Sequence, residues 1–262
     1  MIHVGTAGFS YQDWKGPFYP DDIKDSQMLP YYASKLNCVE INSSFYAVPS
    51  RATVQSMLKR TPPSFLFALK VPRTVTHEPS EEDVLPAFQS VLEPLIEQER
   101  LAALLLQFPW SFQPTSDSAD YLRLLADRMN WAPTVVEFRN AAWVRDDAFD
   151  LLRELNFGFC CVDEPSLRGL MPPVAVVTSP VGYVRFHGRN AQKWWHHEHA
   201  YERYDYLYTE DELKEWIPRI RQLEAGTEEL FIFFNNHYQA KAVKNAQMML
   251  RLLELVEDGE ER

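Results

Sequence analysis

Three short apolar stretches of this chain each end in two reactive polar residues spaced two positions apart. They are Glu40 and Asn42 in CVEIN, Glu137 and Arg139 in TVVEFR, and Arg185 and His187 in YVRFH. Side chains two apart on an extended strand share a face. Each pair therefore projects together, while Val39 and Ile41, Val136 and Phe138, and Val184 and Phe186 project the other way. Carboxylates, guanidiniums and imidazole are the groups of proton transfer, anion binding and metal ligation. A charged pair is costly to bury unless partners await it. The repetition therefore points to one pocket that collects all three pairs.

The elements that must position them are legible as apolar runs at 2–6, 38–42, 65–71, 101–108, 134–138, 158–163, 182–187 and 230–235. Several are apolar at nearly every position, which suits parallel strands covered on both faces. Helix starts lie between them. Ser50 suits the N-cap of a helix to about residue 60, and Ser80 with Asp83 forms a variant capping box ahead of a helix toward residue 99. Thr209 with Glu212 opens a helix closing near Gly226, and Pro218 inside it predicts a kink. The last helix, about 241–257, carries Val243, Ala246, Met249, Leu250, Leu253 and Val256 on one stripe, and the acidic tail at 258–262 is expected to fray. Eight strands alternating with helices in 262 residues match a single-domain α/β fold of the TIM type, a (β/α)8 barrel. An open doubly wound sheet is the alternative, but GTAGFS after the first run lacks the glycine spacing of a dinucleotide-binding turn.

In such barrels the active site lies at the C-terminal ends of the strands. Those ends supply Glu40, Asn42, Lys70, Gln107, Glu137, Arg139, Asp163, Arg185, His187, Asn235, Asn236 and His237, whereas the opposite ends are mostly apolar. Two chemistries fit. In the first, Lys70, Arg139 and Arg185 bind an anion, Glu40 or Glu137 acts as general base, and His187 is general acid or electrophile. In the second, Glu40, Glu137, Asp163 and His187 hold a divalent metal that activates water. The absence of HxH, HExxH or DxD spacing, with cations competing for the carboxylates, ranks the metal second, so no cofactor is expected. The plain alternative to both is that Glu137–Arg139 and Glu40–Lys70 are ion pairs that merely fill the barrel mouth.

The loops add aromatic residues. Tyr46 stands in the second, and the connection after His187 holds Trp194, Trp195, Tyr201, Tyr204, Tyr206 and Tyr208 interleaved with Arg189, Lys193 and Arg203. Such a loop is a lid, a stacking wall for bases or sugars, or a segment packed on itself. His196, His197 and His199 within it offer a weak surface metal site.

A net charge of −11 disfavours nucleic acid and anionic membranes as partners, since both are met with basic charge. No apolar stretch reaches the length of a membrane span, and MIHVGTAGF has no signal-peptide pattern. Cys38, Cys160 and Cys161 lack metal-site spacing and read as reduced core residues, with Cys160 and Cys161 facing opposite sides of their strand. Together these features place the protein in the cytoplasm. Oligomeric state is not specified.

GTAGFSYQDWKGPFYP, VEINSSFYAVPS, FALKVPRTVTHE, VEFRNAAW, YVRFHGRN and FFNNHYQAKAVKNA, in that order, resemble the YecE-like family, domain of unknown function 72. The resemblance runs from Ile2 to about Leu253 and implies a TIM-type barrel without supplying a reaction. Its matching positions include Glu40, Asn42, Lys70, Glu137, Arg139, Arg185, His187, Asn235, Asn236 and His237. Two departures stand out. Ala7 and Phe9 replace the Ser and Trp of the family's GTSGW, and Ala240 stands where Gly is common, implying no strict need for positive φ there.

The expectation is an enzyme, a hydrolase or lyase, acting by acid–base chemistry on a small anionic, ring-containing metabolite such as a phosphosugar or nucleotide fragment. The alternatives are a metal-dependent phosphoesterase or nucleic-acid-end enzyme, and a non-catalytic module binding a nucleotide or single-stranded RNA through Trp194 and Trp195.

Overall fold

The computed structural model describes residues 1–78 and 83–260. Eight strands pair in sequential order and all in parallel, and β8 closes on β1. They are β1 (Ile2–Ala7), β2 (Cys38–Ile41), β3 (Leu66–Lys70), β4 (Leu101–Gln107), β5 (Thr134–Glu137), β6 (Gly158–Asp163), β7 (Val181–Phe186) and β8 (Glu229–Phe234). Each falls on one of the apolar runs. The outer wall is formed by α1 (Asp25–Ala33), α2 (Arg51–Lys59), a short α3 (Arg73–Thr76), α4 (Leu85–Glu97), α5 (Ser116–Arg128), α6 (Asp146–Glu154), α7 (Glu210–Lys214), α8 (Ile217–Gly226) and α9 (Lys241–Glu260). Residues 164–180, between β6 and β7, contain no α-helix.

Local chemistry explains most boundaries. Ser50 Oγ accepts from the Thr53 amide and caps α2, and Thr209 with Glu212 closes a full capping box on α7. The helix expected to kink at Pro218 is instead two helices. Pro218 sits in the first turn of α8, where its missing N–H has no partner to lose. Asp83 accepts from the Leu85 amide at 3.1 Å at the start of α4, while Ser80, its expected capping partner, lies outside the described residues. Of the tail expected to fray, residues 261 and 262 also lie outside them. Among the described residues no helix is long and apolar enough to cross a membrane.

Ala240 corrects a second expectation. Its φ is +58° and that of the preceding Gln239 is +52°, so the position does take the left-handed conformation. The family's glycine is thereby explained, and this chain accepts an unfavourable backbone for a methyl that is fully buried.

The barrel interior is graded. Toward its lower end Tyr183 packs on Phe231 and Phe233, with ring centroids 6.5 and 5.2 Å away, and His3 stacks on Phe231. Toward the C-terminal ends the same inward faces carry Glu40, Glu137 and Arg185. Gly188, at φ +90°, turns the chain off β7 into the long aromatic loop. A Cβ there would stand 2.8 Å from that of Tyr206.

Candidate active site

Arg185 is the hub of the barrel mouth. Its Nη2 is 2.7 Å from Glu40 Oε1 and its Nη1 is 2.5 Å from Glu137 Oε2. Tyr183 Oη donates to the other oxygen of Glu40 at 2.8 Å. Glu137 Oε1 in turn lies 2.5 Å from Arg139 Nε and 3.3 Å from His187 Nε2. Arg139 reaches on to Glu164 at 3.4 Å, and Asn235 Nδ2 lies 3.1 Å from His187 Nδ1. Glu40, Glu137 and His187 are wholly buried. Burial alone pushes the Glu137 carboxyl up, but Arg139, Arg185 and His187 outweigh it and hold the group well below the usual carboxylate range. Burial, reinforced by Arg139, lowers His187 to about 3, so its ring is neutral at ordinary pH.

Above this network opens a cavity of about 560 Å³. Lys70, Arg139 and Arg185 line it, together with Asn42, Gln107, Asn235, His199 and His237 and the rings of Tyr11, Phe45, Tyr46, Tyr201 and Tyr204. Among the described residues no carboxylate lines it. Lys70 Nζ donates to Gln107 Oε1 at 2.7 Å and sits 3.9 Å from the centre of the Phe45 ring. Burial and the neighbouring Arg185 bring this amine down to about 7. Burial also lowers His237, whose ring lies parallel to Tyr11 at 4.6 Å and whose Nδ1 is enclosed without a hydrogen-bond partner among the described residues. Arg185 Nε and Asn42 Oδ1 are likewise enclosed and unpartnered.

Several expected site residues fall elsewhere. Glu40 and Glu137, expected as general bases, are spent beneath the cavity floor on guanidiniums. His187, expected as general acid, faces Glu137 at 3.3 Å and does not line the cavity. The expected Glu40–Lys70 pair does not form, since each has another partner. Asp163 points out of the barrel, where Trp216 Nε1, Tyr208 Oη and Arg189 saturate its carboxylate at 2.6–2.9 Å. Glu40, Glu137, Asp163 and His187 therefore share no coordination sphere. The His-rich tract brings Glu198, His199 and Glu202 together, rather than His196, His197 and His199, and Glu202 already pairs with Lys193 at 2.7 Å.

The aromatic loop divides its duties. Trp194 is only 2% exposed, with Arg203 over its ring, while Trp195 is 49% exposed. Both belong to a smaller neighbouring opening with Trp110 and Arg139, so they do not form a paired stacking platform in the main cavity. Tyr201 and Tyr204, from the 3-10 turn Ala200–Tyr204, roof the cavity instead. Asn236 is an internal brace. Its Nδ2 donates to Tyr206 O and Asn245 Oδ1, both at 2.8 Å, and Asn245 in turn clasps the Tyr208 backbone.

Sequence reasoning missed Tyr183, although its signal was present. It stands two residues before Arg185 on the same inward face. It also missed Glu164, which burial raises to about 7 beside Arg139 and which accepts from the Met171 amide at 2.8 Å. Cys160 and Cys161 do face opposite ways, Cys160 toward Glu137 and Cys161 toward Val176 O, and all three cysteines are free.

The chain is 30% identical over 276 aligned positions to UPF0759 protein YunF of Bacillus subtilis, covering 99% of this chain and 97% of that one. Among solved structures, a DUF72 family protein of Thermotoga maritima superposes with a TM-score of 0.90 at 40% identity, covering 97% and 99% of the two chains. A DUF72 family protein of Enterococcus faecalis gives 0.85 at 30% identity over 97% and 96%. The model of the family described as protein of unknown function DUF72 matches residues 3–261, and this chain belongs to that family.

Proposed function

We propose that the barrel mouth binds a small anionic, ring-bearing metabolite, such as a phosphosugar or nucleotide fragment, and turns it over by acid–base chemistry of the hydrolase or lyase type. One observation carries this reading: three cationic side chains and five aromatic rings line one cavity that no carboxylate among the described residues lines, in a protein of net charge −11. Guanidiniums match phosphate and carboxylate geometry and stack on rings. Arg185 arrives pre-oriented, because Glu40 and Glu137 fix its fork from below, which lowers the ordering cost of binding. Proton transfer falls to groups on the cavity rather than to the buried glutamates. His237 is the first of these, an imidazole that lines the cavity and that burial holds below the usual histidine range. No cofactor is needed in this scheme.

Calorimetric titration with ribose 5-phosphate and with free ribose tests it. The phosphorylated sugar is expected to bind, more weakly as salt is raised, and the neutral sugar not to bind. Indifference to both compounds, or equal affinity for the two, overturns the reading.

A further inference from the structure

Among the described residues, Lys70 is the one cation of the cavity that has no counter-ion. Arg185 holds two carboxylates and Arg139 holds Glu137 and Glu164, whereas Lys70 forms no ion pair among the described residues. Its single hydrogen bond among the described residues is directional. Gln107 Nε2 donates to Phe108 O at 2.6 Å, which turns Gln107 Oε1 toward Lys70 Nζ. The amine thus gives one proton to a fixed acceptor, rests against the Phe45 ring, and keeps its remaining valence for the cavity it lines. If anion binding were its whole role, a permanently charged residue would serve at least as well. A largely buried, counter-ion-free amine beside two guanidiniums is the setting in which a lysine becomes a nucleophile.

We propose that Lys70 forms an imine with the carbonyl group of an anionic aldehyde or ketone held by Arg139 and Arg185. This deepens, and rests on, the anion-pocket reading above. The Nζ lone pair forms the new C–N bond as the carbonyl π pair moves to oxygen, which takes a proton. The resulting hydroxyl leaves as water with one nitrogen-borne hydrogen. In sum, amine, carbonyl and one proton from solvent give iminium and water. The C=N⁺ then draws electrons from the neighbouring carbon, which eases proton removal there and makes lyase chemistry the natural outcome.

Pyridoxal 5′-phosphate is the probe, since it joins an aldehyde, a ring and a phosphate. The wild-type protein is incubated with it at pH 7, reduced with cyanoborohydride so that hydride converts C=N to a stable secondary amine, and mapped by peptide mass spectrometry. In parallel, inorganic phosphate is titrated calorimetrically. Lys70 is expected to carry at least about tenfold more label than any exposed lysine, since an ordinary lysine at pH 7 is unprotonated about once in 2,500 molecules. Phosphate is expected to suppress that label, and phosphate-free pyridoxal to label Lys70 less. Phosphate binding with Lys70 unmodified overturns the imine and leaves the anion pocket standing. Neither phosphate binding nor label overturns both. Label at Lys70 that phosphate does not suppress overturns the anionic substrate class.

Discussion

Replacing Glu137 by Gln keeps the shape of the side chain and removes only its charge, which makes it a clean probe of the buried network. Every atom facing the Glu137 carboxylate is a donor: Arg185 Nη1 at one oxygen, Arg139 Nε and His187 Nε2 at the other. With Asn235 Nδ2 donating to Nδ1, His187 presents Nε2–H to Glu137, so either orientation of the new amide sets an NH₂ against a donor. Arg185 would retain Glu40, and Arg139 would retain only Glu164, at 3.4 Å. Breaking a buried pair by deleting one partner costs about 3–5 kcal/mol, against a total stability of about 5–15 kcal/mol. Equilibrium unfolding in urea, followed by tryptophan fluorescence, reads this as a drop in midpoint of roughly 1–2.5 M for a slope of about 2–3 kcal/mol/M. Glu137 also supports the charge on Lys70, so the variant should form the Lys70 imine at lower pH than wild type. A stability loss below about 1 kcal/mol would refute the assignment of Glu137 as the anchor of two guanidiniums.

Lys70 gives the opposite signature. Its folded value, about 7, lies below that of the unfolded chain, so between the two the unfolded state holds a proton that the folded state has lost. Stability from this group therefore rises with pH. Relative to Lys70→Met, which lacks the titration, wild type is expected to gain about 2 kcal/mol between pH 7 and pH 9; urea midpoints of both proteins at both values check it, and parallel pH profiles would count against the buried amine. At Ala240, a β-branched side chain meets both a φ of +58° and a filled site, so Ala240→Val is expected to lower stability by at least about 2 kcal/mol, measured as a fall in Tm.

Much of this molecule is readable along the chain because strands impose a period of two. CVEIN, TVVEFR and YVRFH declare by parity that Glu40 and Asn42, Glu137 and Arg139, and Arg185 and His187 share faces of their strands, and apolar runs of strand length, repeated between helix caps, favour a parallel barrel. The same parity sets Asp163 on the face of Cys161, opposite Cys160, so its outward aim follows from the sequence once Cys160 is known to face in. Pro218 shows the limit of local rules. A proline excludes a helix interior equally well by bending one helix or by opening another, and only the packing of α7 and α8 chooses between them.

The sequence by itself determined the succession of strands and helices, and with it the barrel class, and which polar residues share a strand face, since these follow from backbone periodicity and burial. Only the tertiary structure decided who pairs with whom. Arg185 reaches Glu40 across 145 residues of chain and Glu137 across 48, contacts that depend on cross-barrel distances which no local spacing encodes. That choice consumed the glutamates, left Lys70 without a counter-ion among the described residues, and set strand-end and loop residues together around the cavity by tertiary packing rather than by period.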